Sequence, residues 1–319
     1  MKNWILLFIV SYSVQAATNW PQFRGPGALG VAENKGLPGK WSTSENVLWK
    51  QQVSGRGWSS PVVWGKQVFL TAVETEGKQW EARKGLYFGG ERKIPPTGKH
   101  HWKVICLNLE TGKLIWEKTA HSGIPKGSIH IKNSYASETP ITDGERVYAY
   151  FGNVGVFALD LDGQLRWSHT LSPLSTRLEW GTAASPVLFG NRLYVVNDND
   201  DGSYLLALDT ETGAEVWRVD REEGTNWSTP FVWENELRTE IVTTGSDKFE
   251  LSPPWGHGPQ LLLKLKDNVK LDREASATET VAVRFTEGDG TEHTGTFTLQ
   301  VLDVDEAPEV IGLTSLTLI

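Results

Sequence analysis

The stretch that decides the fold runs Tyr204-Leu205-Leu206-Ala207-Leu208-Asp209, Glu211-Thr212-Gly213, Ala214-Glu215-Val216-Trp217. It reads as an apolar strand, a tight turn whose glycine takes the left-handed conformation, and a second strand ending in Trp. The frame occurs twice upstream. One copy is Lys103-Val104-Ile105-Cys106-Leu107-Asn108-Leu109, Glu110-Thr111-Gly112, Lys113-Leu114-Ile115-Trp116. The other is Gly155-Val156-Phe157-Ala158-Leu159-Asp160, Leu161-Asp162-Gly163, Gln164-Leu165-Arg166-Trp167. Trp116, Trp167 and Trp217 stand 51 and 50 residues apart, the spacing of a repeat architecture.

Working outward, each unit is preceded by a hydroxyl residue and proline: Ser60-Pro61, Thr139-Pro140, Ser185-Pro186 and Thr229-Pro230. Proline is tolerated where a strand begins, because no ladder hydrogen bond is lost there. Asp143-Gly144 and Gly190-Asn191 mark the next turns, followed by strands such as Arg192-Leu193-Tyr194-Val195-Val196. Each unit is thus a four-stranded meander. One such sheet cannot bury both faces alone, so neighbouring sheets stack, with a strand-end Trp packed against the next unit.

This pattern resembles the repeats of the pyrroloquinoline-quinone (PQQ)-binding-like β-propeller family, which carry A-x-D-x-x-T-G-x-x-x-W. Trp20-Pro21-Gln22-Phe23-Arg24-Gly25-Pro26 is similar to the start of exported propellers of that type. The resemblance covers about residues 18–247, within an expected repeat domain of 17–247, and implies blades at about 58–120, 134–171 and 180–220, with a fourth begun at 226–247. Val47-Leu48-Trp49-Lys50 resembles the Trp-terminated last strand of a blade. The expected fold is all-β: a partial, open β-propeller of about 3.5 four-stranded blades with a small C-terminal β-sandwich-like fragment. Closure in the family would need about seven or eight blades. Trp49, Trp116, Trp167 and Trp217 are the expected structural blade tryptophans. Trp58, Trp180 and Trp227 are read as equivalent positions ahead of the S/T-Pro starts, also structural.

The two ends carry other signals. Lys2, the apolar Trp4–Val10 run and the small-residue site Val14-Gln15-Ala16 read as a signal peptide over residues 1–16. No Cys follows for lipid attachment, and the run is too short to span a bilayer. Residues 248–260, rich in Pro and Gly, read as a junction. Residues 261–319 contain Leu271-Asp272-Arg273-Glu274 and Asp303-Val304-Asp305-Glu306-Ala307-Pro308, which resemble a cadherin-like repeat. That resemblance implies calcium held by Asp272, Glu274, Asp303, Asp305 and Glu306, since calcium takes six to eight hard oxygens. The competing reading is solvated surface acids.

Family members include quinoprotein dehydrogenases, outer-membrane assembly scaffolds and exported proteins of other roles. A PQQ dehydrogenase needs a catalytic Asp, a calcium held by Glu and Asn, a Trp floor and commonly adjacent cysteines. Cys106 is the sole cysteine here, and the blades that would converge on the cofactor are too few. These features argue against PQQ, and no catalytic residue is singled out. An insertion over 74–103 reads as a variable surface loop, its alternative a metal site of His100 and His101 with His121 or His130. Asn197-Asp198-Asn199-Asp200-Asp201-Gly202 reads as a polar hairpin turn, because the twelfth position of a calcium loop would be Leu208. A net charge of -8 without a basic cluster argues against nucleic acid.

The leading functional expectation is an exported, non-catalytic binding scaffold, periplasmic or secreted, with a protein or cell-envelope partner and calcium at the C-terminal segment. The alternatives are a remnant PQQ-dependent dehydrogenase and a calcium-dependent adhesion protein. No small-molecule ligand is identifiable from the sequence.

Overall fold

In the computed structural model of the chain, the described residues are 19–32, 36–77, 97–221, 223–234 and 239–245. For strands at 249–252, 262–265, 278–286 and 292–300 the backbone alone is described. The chain divides into two compact units, Met1–Ser246 and Asp247–Ile319.

The first unit contains three antiparallel four-stranded sheets, each a simple meander. Blade 1 is β1 (Val62–Trp64), β2 (Gln67–Thr75), β3 (His100–Asn108) and β4 (Leu114–Gly123). Blade 2 is β5 (Ile141–Thr142), β6 (Arg146–Phe151), β7 (Gly155–Asp160) and β8 (Leu165–Thr170). Blade 3 is β9 (Val187–Phe189), β10 (Arg192–Asn197), β11 (Ser203–Asp209) and β12 (Glu215–Arg221). Blade 4 holds one hairpin, β13 (Phe231–Glu234) with β14 (Thr239–Val242). The all-β, open-propeller expectation is met.

The core lies between blades. Phe69, Trp102, Val104 and Cys106 of blade 1 pack with Ala149, Phe151, Phe157 and Leu159 of blade 2. Tyr148, Tyr150 and Trp167 of blade 2 pack with Leu193, Val195, Tyr204 and Leu206 of blade 3. This explains the apolar character of both faces of each middle strand: a sheet sandwiched between two others has no solvent face.

Each repeat motif has a mechanical role. In Asp-x-x-Thr-Gly, the Asx side chain ties the turn. Asp209 Oδ1 accepts from the Glu211 and Thr212 N–H groups (3.1 Å each) and from the Thr212 hydroxyl (3.0 Å). Asn108 does the same for Glu110 and Thr111. Those bonds from Thr212 hold the Asp209 carboxyl below its ordinary range. The turn glycine, with φ near +70° at Gly112 and Gly213, forms the floor of a socket for the preceding Trp. Trp116 donates to the Leu161 carbonyl (2.8 Å), Trp167 to that of Thr210 (2.9 Å) and Trp49 to that of Leu109 (2.8 Å).

A bulge aims the Trp. Ladder register shifts by one residue between Cys106 and Leu107, Ala158 and Leu159, and Ala207 and Leu208. The Trp is paired across the strands with Cys106, Ala158 or Ala207. A small residue opposite Trp leaves room for the indole on that face. Cys106 therefore serves as a small packing residue, and burial pushes its thiol up to about 12.

Two expectations need correction. Val47–Lys50 is not a strand, and no described strand pairs with it. Trp49 nevertheless docks on the blade 1 turn as Trp116 and Trp167 dock on the turns of blades 2 and 3, and it helps cover the face of Val68, Ile105 and Leu107. Nor are Trp58, Trp180 and Trp227 equivalent: Trp58 and Trp227 stand three residues ahead of the proline, Trp180 six. Trp227 stacks on Trp180 (5.6 Å between centroids) and donates to the Gly181 carbonyl, whereas Trp58 is 56% exposed beside Arg56.

In the second unit, β15 (Phe249–Ser252) pairs with β16 (Leu262–Leu265), and β17 (Thr278–Thr286) pairs with β18 (Glu292–Gln300). The signal peptide lies outside the described residues, as do Asp272, Glu274, Asp303, Asp305, Glu306 and most of the expected insertion. The described ends of that insertion extend β2 and β3, and the Glu76 N–H closes on the Lys99 carbonyl (2.8 Å).

Candidate functional site

The blades are laced together on the side where each begins. The hydroxyl residue before each proline accepts from the backbone N–H of its counterpart one blade earlier: Ser60 to Thr139 Oγ1 (3.1 Å), Thr139 to Ser185 Oγ (2.9 Å), Ser185 to Thr229 Oγ1 (2.9 Å). Reading the motif for its proline misses this. The signal was the recurrence of a hydroxyl at Ser60, Thr139, Ser185 and Thr229.

Beside this lacing sits a buried polar cluster. The Glu138 carboxylate, wholly enclosed, accepts from the Thr182 hydroxyl and the Ser137 N–H (3.2 Å). Burial outweighs these bonds and pushes its carboxyl up to about 7. Tyr150 is fully buried with an unpartnered hydroxyl, and burial first, then Tyr204 and Glu138, drives its ionisation well above the ordinary range. Asp198, with no exposed side chain, pairs with Arg221 through 2.9 and 3.3 Å contacts; burial still leaves its carboxyl raised.

Asn199 organises the adjoining loop. Its Oδ1 accepts from the Asp201 and Gly202 N–H groups, both at 2.8 Å, and Asp200 accepts from the Thr225 hydroxyl (2.6 Å). The 197–202 stretch is thus a structured polar turn, with Asp198 buried against Arg221 and the exposed Asp200 tied to Thr225. Sequence reading did not anticipate how deeply Asn197, Asp198 and Asn199 are buried.

Between blades 1 and 2 the long β4–β5 connection folds over a cavity of about 100 Å³. Tyr135 anchors that connection by donating to the Gly127 carbonyl (2.6 Å) and accepting the Trp102 indole N–H on its own carbonyl (3.1 Å). Asn133 reaches the Trp180 carbonyl (2.7 Å) on the β8–β9 connection. The walls include Trp102, His121, Lys126, Tyr135, Phe151 and Thr182. Burial, followed by repulsion from Lys126, lowers the pKa of His121, favouring the neutral ring.

The histidine metal site weighed as the alternative to a surface loop does not converge. His100 and His101 are consecutive in β3 and so lie on opposite faces. His100 bonds the Gly98 carbonyl (2.8 Å), whereas His101 bridges Ser122 and Glu76 (2.8 and 2.7 Å). Among the described residues no three His, Cys, Asp or Glu side chains cluster for a metal.

Comparison with known proteins follows the blades. The profile of the family described as "Outer membrane protein assembly factor BamB" matches residues 27–176 and 155–251, well over half the chain. The chain belongs to that family. Its relative from Alkalilimnicola ehrlichii, named outer membrane protein assembly factor BamB, is 34% identical over 139 residues, covering 43% of this chain and 32% of that protein. The protein of that name from Burkholderia pseudomallei is 26% identical over 208 residues, covering 58% and 50%. The chain thus spans from about a third to half the length of these relatives. Among solved structures, the quinohemoprotein alcohol dehydrogenase from Comamonas testosteroni aligns with a TM-score of 0.40 at 16% identity, over 66% of this chain and 29% of that one. The family match supports the PQQ-like repeat reading and does not extend to the cadherin-like segment.

Proposed function

We propose that this BamB-family chain is an exported, non-catalytic scaffold that binds protein partners during assembly of outer-membrane proteins in the periplasm. The observation that carries this reading is the family match running through three complete blades and into the fourth. The relatives' name supplies the process, and the signal-like sequence of residues 1–16 supplies the route of export. The structural chemistry agrees. The motif tryptophans of blades 1 and 2 fill sockets in the next blade, and the motif acids tie turns, so the repeat residues build a rigid platform. Partner contacts fall to the connections between blades.

The test is complementation in a Gram-negative strain lacking its own BamB. Restored outer-membrane protein levels, with a mature N-terminus at Ala17, would support the reading. Folded, exported protein that restores nothing and binds no assembly component would overturn it.

A second reading concerns the C-terminal segment. β17 and β18 pair so that Thr278 lies opposite Gln300. Glu274 precedes that end of the hairpin by four residues and Asp303 follows it by three. The carboxylates of Asp272, Glu274, Asp303, Asp305 and Glu306 are the hard oxygens that calcium takes, which supports the proposal that the two motifs share a calcium ion. A thermal midpoint that rises with calcium, and loses the rise in Asp303→Asn/Asp305→Asn, is expected. A midpoint indifferent to calcium would refute it.

A further inference from the structure

We propose that the cavity between blades 1 and 2 is a binding site for a carboxylate carried on a short aliphatic stem. The charge of its walls is the first argument. The whole chain has a net charge of -8, yet no Asp or Glu lines this cavity, whereas Lys126 and His121 both do. The second is that both nitrogen groups are uncommitted. Neither the Lys126 ammonium nor the His121 imidazole has a hydrogen-bond or ion-pair partner among the described residues. Three cationic groups of this unit are by contrast paired with acids: Lys103 with Glu117 and Glu74, Arg192 with Asp209, Arg221 with Asp198.

The rest of the cavity suits a stem. Trp102 and Phe157 flank the His121 ring at 5.2 and 6.3 Å between centroids, and Phe151, Val154 and Leu171 continue the apolar wall. About 100 Å³ accommodates a few non-hydrogen atoms, a propionate-sized group, and leaves no room for a fused-ring cofactor. Lys126 is exposed, so it can meet a carboxylate entering from solvent; the half-buried His121 offers a neutral N–H donor. Charge-assisted hydrogen bonds of this kind are about twice as strong as neutral ones.

The same chemistry is presented by a free short-chain acid and by a glutamate side chain of a bound polypeptide. The site does not depend on the scaffold reading: a free acid would satisfy it even if complementation failed.

The experiment is an NMR titration of the full mature chain, following the His121 ring resonance, assigned by its loss in His121→Gln. Sodium propionate is expected to shift it saturably, with propionamide at least ten-fold weaker. Lys126→Met should weaken propionate binding at least ten-fold with an unchanged thermal midpoint, since Lys126 is exposed and has no hydrogen-bond or ion-pair partner among the described residues. A blocked Gly-Glu-Gly peptide forms the second arm. Tighter binding than propionate assigns the site to a polypeptide side chain, and weaker binding to a free acid. A shift that does not saturate, equal binding of propionamide, or insensitivity to Lys126→Met would each overturn the proposal.

Discussion

Trp167 and Trp217 occupy the same place in successive repeats, yet only one is finished. Trp167 is 8% exposed, its indole N–H donates to Thr210 and its ring lies over Gly213. Trp217 is 37% exposed, leans on Tyr194, and donates no indole hydrogen bond among the described residues. The difference lies in the neighbouring blade. Blade 3 offers Trp167 an Asx-tied turn, whereas blade 4 pairs only two strands and offers Trp217 no such turn among the described residues. A repeat residue thus acquires its energetic role from the next repeat, as expected when stability is a sum of units and their interfaces.

Replacing the two tryptophans measures that difference most strongly. Trp167→Ala should cost about 3–5 kcal/mol in urea unfolding, the range for deleting a buried aromatic. Trp217→Ala should cost less, about 1–2 kcal/mol, because its ring is 37% exposed and no indole hydrogen bond is lost. Equal losses would break the comparison.

Buried acids give the next contrast. Glu138, with no cation partner, has its folded pKa raised to about 7 from 4.5. Between those values the folded state keeps a proton that the unfolded state releases, so stability is greatest at low pH and declines as pH rises. The decline attributable to Glu138 is on the order of 3 kcal/mol. Glu138→Gln should flatten it and raise the midpoint at pH 8. Asp198 is also enclosed, but Arg221 compensates its charge, so Asp198→Asn should leave Arg221 only Glu223 and the Thr244 carbonyl and lower the midpoint at neutral pH.

Smaller effects are expected at the sockets. An added Cβ at Gly213 would lie 2.3 Å from the Trp167 ring, and φ is +70°. At Gly190, also left-handed at +56°, nothing lies within 4 Å. Gly213→Ala is expected to cost about 2–3 kcal/mol and Gly190→Ala about 1 kcal/mol, the left-handed strain alone. Ser185→Ala removes the acceptor of the buried Thr139 N–H and should cost a similar amount, about 1–2 kcal/mol. Thr229→Val, at the open end of the lacing, should cost less. Chemical denaturation of the four variants checks the order.

How much of this was legible depends on whether a residue answers to its own strand or to another. The blades were readable because Asp209, Gly213 and Trp217 mark local turns and strand ends. The bulge before each Trp, the small residue opposite it and the hydroxyl lacing were not, since they join residues 40 or more positions apart or depend on ladder register. The Glu138 cluster was invisible for the same reason: nothing in Ser137-Glu138-Thr139 distinguishes a wholly buried acid from a surface one. The inter-blade cavity was hidden because its walls come from both blades and both connections, while the histidines that drew attention, His100 and His101, face away from each other.

The most direct test of the interlocked-blade account is hydrogen exchange at the indole N–H groups. Trp49, Trp116 and Trp167, bonded at 2.8, 2.8 and 2.9 Å to Leu109, Leu161 and Thr210, should exchange slowly, whereas Trp217 should exchange near the rate of a solvent-exposed indole. Four indoles exchanging at one rate would contradict the claim that each blade is locked by the turn of the next.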